Sequence, residues 1–297
     1  MTSKQQGAVT TVSIEESEVR FFLTSDVHFD SIYCDRKTFF QDMEEAKKQN
    51  AKVCIFGDLF DAMNGRFDPR RDMSQLRPEY RRADYYDFIV NDTFEKLKKY
   101  KDNIFIITPG NHEKSVLKNA NTYLTDRLSK LLGCLHGGYG GWLRININVG
   151  HTTRGSCNIK YFHGAGGEAP VTRGVIQTNR QAVYLPDADI VVNGHSHNAF
   201  WVPIQRERLT QKGVHYYDTQ HHIRTPGYMA SYGDGTTGYE VERGGVPKPL
   251  GGCFITIRRV GNSDKQCPID INPRIHSSSP ISGVNDLCQG MVYPQDN

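Results

Sequence analysis

Long apolar runs, paired cysteines and a strong net charge are all missing from this 297-residue chain. No stretch approaches the roughly 18–20 consecutive apolar residues that span a bilayer, so no membrane anchor is expected. The opening residues, MTSKQQGAVTTVSIEESEV, lack the apolar middle section of a signal peptide, and export is not expected either. The seven cysteines (Cys34, Cys54, Cys134, Cys157, Cys253, Cys267 and Cys288) are odd in number, scattered and without a CxxC pair. That speaks against a disulfide framework and a cysteine-ligated zinc site, and suits reduced thiols in a cytoplasmic setting. A net charge of +3 falls far below the basic excess of a surface built to track a phosphate backbone. What is present, 37% hydrophobic and 10% aromatic residues, is enough for a sizeable buried core.

Residues 1–18 are polar and aperiodic, and 261–297 are rich in Ser, Pro, Asn and Asp. Both are expected as tails, the second irregular, around a single domain over 19–260. Within it, short apolar runs bounded by turn residues predict strands at Val19–Leu23, Lys52–Phe56, Asn103–Thr108, Leu143–Val149, Asn158–Phe162, Asp189–Val192, Val214–Tyr217 and Phe254–Val260. Apolar residues at helical spacing predict helices over Lys37–Gln49, Tyr85–Tyr100 and Ser115–Leu132. Strands alternate with helices early and follow one another later, the pattern of an α/β fold in which sheet packs on sheet with helices outside.

Chemistry gathers at the ends of the predicted strands. Asp26-Val27-His28 ends the first, Gly57-Asp58 the second, Gly110-Asn111-His112 the third, His163 a later one and Gly194-His195-Ser196-His197 another. Side chains two apart on a strand point the same way, so Asp26 and His28 are expected to share one ion. Singly these are weak signals, since a lone D-x-H arises by chance in many proteins; the ordered set is specific. Carboxylate and amide oxygens mixed with imidazole nitrogens suit Mn²⁺, Fe, Zn²⁺ or Ni²⁺, and seven donors exceed what one ion takes. Two ions roughly 3.5–4 Å apart, bridged by a carboxylate, are the arrangement used for in-line phosphoryl displacement.

The order D-x-H, G-D-x-x-D, G-N-H-E, H and G-H-x-H resembles the calcineurin-like metallophosphoesterases over Phe21–His197. The resemblance implies a four-layer α-β-β-α sandwich of two mixed sheets, and a hydrolase of phosphoric esters that carries two divalent ions, manganese foremost, with zinc, iron or nickel as alternatives. It implies Asp26, His28 and His197 as ligands of one metal, Asp58 as the bridge, and Asn111, His163 and His195 as ligands of the other. His112 is then no ligand: it faces the scissile phosphate and protonates the leaving oxygen, and Asp61, three residues past Asp58, orients it. Serine/threonine protein phosphatases follow that aspartate with Arg-Gly, whereas Ala62-Met63 follows here, so their phosphate-clamping arginine is missing. GDLFD is more similar to the repair-nuclease branch of the family. His163–Gly167 with Pro170–Gly174 is similar to members carried by bacteriophages, for which the location would be the host cytoplasm. The expected reaction is hydrolysis of nucleic-acid or nucleotide phosphodiesters. A phosphomonoesterase acting on small molecules or proteins is the alternative, and a non-catalytic scaffold a remote one.

Between Asp58 and Asn111, six arginines (66, 70, 71, 77, 81 and 82) meet only Asp68, Asp72 and Glu79. Such a run is ordinarily a solvated face. As the alternative it walls the substrate, with Arg70, Arg71 and Arg77 holding flanking phosphates and Tyr80, Tyr85 and Tyr86 stacking bases. Arg173 is a further candidate for gripping a phosphate oxygen, against ion pairing at the surface. His215, His221, His222, Arg224 and Tyr228 follow G-H-x-H and either border the cleft or pack a strand edge. Glu113 is expected to cap the helix after His112, with no chemistry of its own.

Overall fold

Apolar side chains fill both faces of the central strands, which requires a packed layer on each side of them. The computed structural model describes residues 1–63, 68, 71–166, 171–172, 174–233, 235–236, 238–261 and 266–277. Among these, the chain runs β1 (Thr2–Gln6), β2 (Val9–Ile14), β3 (Glu18–Thr24), α1 (Arg36–Lys48), β4 (Lys52–Phe56), α2 (Tyr85–Leu97), β5 (Ile104–Thr108), α3 (Asn111–Ala120), α4 (Leu124–Leu132), β6 (Leu135–His136), β7 (Gly140–Val149), β8 (Thr152–Phe162), α5 (Val175–Tyr184), β9 (Ile190–Asn193), β10 (Phe200–Leu209), β11 (His215–Arg224), α6 (Tyr239–Glu242), β12 (Leu250–Arg258) and β13 (Ile269–His276).

The strands form two mixed sheets, ordered β1-β2-β7-β8-β9-β11-β10 and β13-β12-β3-β4-β5-β6. Pleating splits each central strand between two cores. Phe21 and Leu23 of β3 and Cys54 and Phe56 of β4 face the other sheet, where they meet Leu143, Ile145, Ile159 and Val192. Phe22, Val53 and Ile55 turn outward beneath Phe39 and Met43 of α1, Ile89 of α2 and Leu128 of α4. The outer face of the other sheet carries α5, tied to β11 where Gln220 Nε2 donates to Leu185 O at 2.8 Å. The result is the expected layering of helices, two sheets and helix.

Both expected tails contain strands. β1 and β2 form a hairpin turned at Gly7, whose φ of 58° suits glycine, and β2 pairs in parallel with β7. Its Thr10, Val12 and Ile14 face inward, whereas β1 is exposed throughout and leaves no apolar pattern to read. At the other end β13 pairs antiparallel with β12, and Ile269 and Ile271 pack on the inter-sheet core. Pro273 is tolerated there because the strand lies at the sheet edge. The predicted helix Ser115–Leu132 is two helices, since Asn121 adopts a left-handed φ of 52° and ends α3.

Candidate metal centre

Strands β3, β4 and β5 run parallel in one sheet and β8 and β9 in the other, and the chain leaves all five toward one end of the sandwich. Asp26 and His28 follow β3, Asp58 follows β4, Asn111 opens α3 after β5, His163 follows β8, and His195 and His197 follow β9. Five of these seven have left-handed backbone: Asp26 (φ 51°), His28 (50°), Asp58 (50°), His195 (73°) and His197 (55°). For residues other than glycine that costs roughly 1–3 kcal/mol each and persists only where the surroundings enforce it, as at functional sites. It also corrects one expectation. Asp26 and His28 do meet, but β3 ends at Thr24, so sharp turns rather than strand pleating aim both inward.

Among the described residues three donor groups converge: Asp26 with His28 and His197, Asp58 with His163 and His195, and His28 again with Asp61 and His112; the first two hold six of the seven expected ligands between them, all but Asn111. His197 Nε2 lies 3.3 Å from His28 Nε2 and 3.4 Å from Asp26 Oδ1. His163 Nε2 lies 3.1 Å from Asp58 Oδ2 and 3.1 Å from Asn111 Oδ1, and that amide oxygen is 2.8 Å from His195 Nδ1. His163 Nε2 also reaches within 3.9 Å of Asp26 Oδ1, so the sets adjoin.

The chemistry of these donors fits metal ions. His163 Nδ1 donates to Phe56 O at 2.9 Å, so in the neutral ring Nε2 carries a lone pair, and it points at two further lone-pair oxygens. His28 repeats the device: Asp61 Oδ1 takes its Nδ1 at 3.0 Å, which leaves Nε2 facing His197 Nε2. Buried, converging lone pairs repel unless a cation lies among them. With protons as the only cations, burial lowers the basicity of His163, yet the carboxylates of Asp58 and Asp26 prevail and push it up to about 10. Burial likewise opposes ionisation of Asp26 and Asp58, and the facing imidazoles, His197 for the first and His163 for the second, hold both below the usual carboxylate range.

His112 lies beside the second set, its backbone N–H donating to Asp58 Oδ1 at 3.0 Å and its Nε2 3.7 Å from Asp58 Oδ2. Asp61 stands next to it, though not as the resemblance implied. Its carboxylate hydrogen-bonds His28 and lies 3.6 Å from His112 Nδ1, which instead donates to the Asp61 backbone carbonyl at 2.6 Å. Two buried carboxylates complete the surroundings: Glu113, expected as a helix cap, and Asp30, to which the sequence reading gave no role. Glu113 accepts from the N–H groups of Gly110, Asp58 and Phe60, so it caps α3 and also ties that helix to the loop bearing Asp58. Burial first, then Asp58, raises its carboxyl to about 7. Asp30 accepts from the N–H groups of Asp61 and Ala62 and from the Tyr85 hydroxyl. The D-x-H-x-D spacing of Asp26, His28 and Asp30 was the available signal.

The arginine wall fares worse. Arg77 Nε donates to Ser31 O at 2.9 Å and Nη2 to Cys34 O at 2.7 Å, so it braces backbone rather than facing a substrate. Arg71 is exposed beside Asp68, and Arg70 and Arg173 lie outside the described residues. Tyr80 and Tyr85 are buried and take core positions. Of the later cluster, Arg224 reaches the loop that carries His195 and His197, its Nη1 donating to Ser196 Oγ at 3.1 Å. His221 pairs with Trp201, His222 with Gln220 and Tyr228 with Asp42, which are packing roles.

The profile of a family described as calcineurin-like phosphoesterase matches residues 19–199. No curated protein matches the chain significantly. Among solved structures, Vps29 of Chaetomium thermophilum is similar at 9% identity, with 89% of this chain and 100% of that one covered and a TM-score of 0.38. A conserved uncharacterized protein of Streptococcus pneumoniae, a predicted phosphoesterase, is similar at 12% identity over 87% of this chain and 99% of that one, TM-score 0.31. GAP50, the anchor in the inner membrane complex of Plasmodium, is similar at 12% identity over 92% and 94%, TM-score 0.37.

Proposed function

This chain belongs to the calcineurin-like phosphoesterase family, and we propose that it is a dinuclear-metal phosphodiesterase that hydrolyses nucleic-acid or nucleotide phosphodiester bonds. The observation that carries the reading is the pair of adjoining donor sets, each with imidazole lone pairs aimed at carboxylate or imidazole partners. Asp26, His28 and His197 would hold one divalent ion and Asn111, His163 and His195 the other, with Asp58 shared. The mix of oxygen and imidazole donors without thiolate is compatible with manganese. Bound there, the ions supply Lewis-acid charge to a phosphoryl group and make water a better nucleophile.

The chain's own groups supply the rest. His112, fixed through Nδ1, presents Nε2 beside Asp58, where an Nε2 proton can be given to a leaving oxygen. The carboxylates of Asp58 and Asp61 near that ring stabilise its protonated form. The diester reading rests on the likeness of Gly57–Asp61 to the repair-nuclease branch of the family.

The test is hydrolysis of bis-p-nitrophenyl phosphate against p-nitrophenyl phosphate by metal-stripped protein reloaded in turn with Mn²⁺, Ni²⁺, Zn²⁺ and Mg²⁺. Metal-dependent cleavage that favours the diester is expected. Preference for the monoester overturns the diesterase reading, and no cleavage with any metal overturns the enzyme reading.

A further inference from the structure

The loop that carries Asp58 and Asp61 is gripped along its backbone by two fully buried carboxylates from different elements. Glu113 accepts from the N–H of Asp58 at 3.1 Å and of Phe60 at 2.9 Å. Asp30 accepts from the N–H of Asp61 at 2.7 Å and of Ala62 at 3.0 Å, and from the Tyr85 hydroxyl on α2. Ala62 holds a left-handed φ of 51° within this grip. Burying two carboxylates beside Asp58 and Asp61 is costly, and hydrogen bonds to charged acceptors are the strong kind that offset it.

Asp61 serves two rings through two different groups. Its carboxylate takes His28 Nδ1, and its peptide carbonyl takes His112 Nδ1. The carbonyl direction is set by how the Asp61 peptides are held, and Asp30 is what holds the N–H side of this turn. We propose that Asp30 is a positioning residue for His112, acting through the Asp61 backbone, while the Asp61 carboxylate serves the ligand His28. The proposal rests on the reading of His112 given above.

The two functions separate in isosteric variants. Asp30→Asn keeps one acceptor oxygen but sets an amide NH₂ against the other of the two backbone N–H groups, of Asp61 or Ala62, and so loosens the turn. Asp61→Asn leaves the peptide in place and weakens the partner of His28. Mn²⁺-loaded protein is assayed with bis-p-nitrophenyl phosphate, and Mn²⁺ affinity is measured separately by calorimetry. Asp30→Asn is expected to lower kcat by about 100-fold at saturating Mn²⁺ with KM changed by less than about threefold, the loss typical of a catalytic group misplaced by about 1 Å. Asp61→Asn is expected to weaken Mn²⁺ binding by about 10-fold or more and to leave the His112 Nδ1–H resonance of the metal-free protein in place. In the metal-free ¹⁵N-labelled parent, the His112 Nδ1–H is expected as a downfield resonance in slow exchange, identified by its loss in His112→Asn and lost again in Asp30→Asn. Should Asp30→Asn fail to fold, Asp30→Glu, which shifts the carboxylate by one methylene, is read the same way. A kcat for Asp30→Asn within about threefold of the parent, a loss cured by added Mn²⁺, or an unchanged His112 resonance overturns the proposal. A parent inactive on every phosphoester would instead count against the enzyme reading, and the resonance would still decide the role of Asp30.

Discussion

Replacing Gly110 by alanine tests the geometry of the centre without straining the φ and ψ of residue 110 itself. Gly110 has φ −102° and ψ −163°, extended values open to any residue. An added Cβ, however, would stand 2.5 Å from Asp58 N and 2.6 Å from Asp58 Cγ, with Asp58 Oδ1 closer still. Ordinary contact begins at 3.4 Å, so the Asp58 carboxylate must retreat by about 1 Å. Overpacking of this kind costs about 1–3 kcal/mol of stability. The larger effect falls on the site, because Asp58 also receives the His112 N–H and faces His163. A displacement of about 1 Å is worth about 100-fold in kcat, and Mn²⁺ affinity should fall by 10-fold or more, an order-of-magnitude figure for disturbed ligand support. Gly133→Ala is the control: its φ of 72° makes alanine strained, but nothing lies within 4 Å of the added carbon. It should lose about 1–2 kcal/mol and keep parental Mn²⁺ affinity and kcat. Calorimetric Mn²⁺ titration, thermal melts and diester hydrolysis read all three quantities. Gly110→Ala with parental affinity and turnover would refute the placement of Asp58.

Further expectations concern single groups. Asp58→Asn should abolish turnover and weaken metal retention, whereas His112→Asn should abolish turnover with both metals kept; metal analysis showing His112→Asn stripped would contradict the division of roles. Each Mn²⁺ at about 100 times its Kd should add about 2.7 kcal/mol of stability, a rise in Tm of about 4 °C per ion for a chain of this size; an unshifted Tm would mean that the donor sets do not bind it. Burial, then the nearby Arg206 and His221, pushes His222 down to about 4. The unfolded chain, with an ordinary histidine near 6.5, therefore takes the proton first, and stability is lost as pH falls from 6.5 toward 4, by up to about 3 kcal/mol. His222→Asn should flatten the urea midpoint across that window, and an unchanged slope would show that His222 titrates normally in the fold.

The layered fold and the convergence of the seven donor side chains were legible because both rest on local pattern. The buried runs of β3, β4 and β5 end in turn residues, and the candidate donors sit shortly after them. α5 was not legible, because Val175, Ile176, Val183 and Tyr184 are exposed while the residues it buries, Thr178 and Gln181, are polar. β10 alternates between half-buried and exposed residues and contains Pro203, which only its edge position allows. The site's surroundings were hidden for a different reason. The D-x-H-x-D spacing marks Asp30 and the helix start marks Glu113, but their contacts with backbone N–H groups 31 to 55 residues away are not written in any local pattern. Arg77 looked like a phosphate ligand because charge is visible in sequence, whereas the carbonyls of Ser31 and Cys34 that occupy it are not.

The central claim is that seven side chains from five strand ends hold two ions as one centre, and electron paramagnetic resonance of protein loaded with two equivalents of Mn²⁺ tests it most directly. The account predicts the spectrum of an exchange-coupled Mn²⁺ pair, lost together with diester hydrolysis in Asp58→Asn. Signals of two isolated Mn²⁺ ions, or binding of a single equivalent, would contradict it.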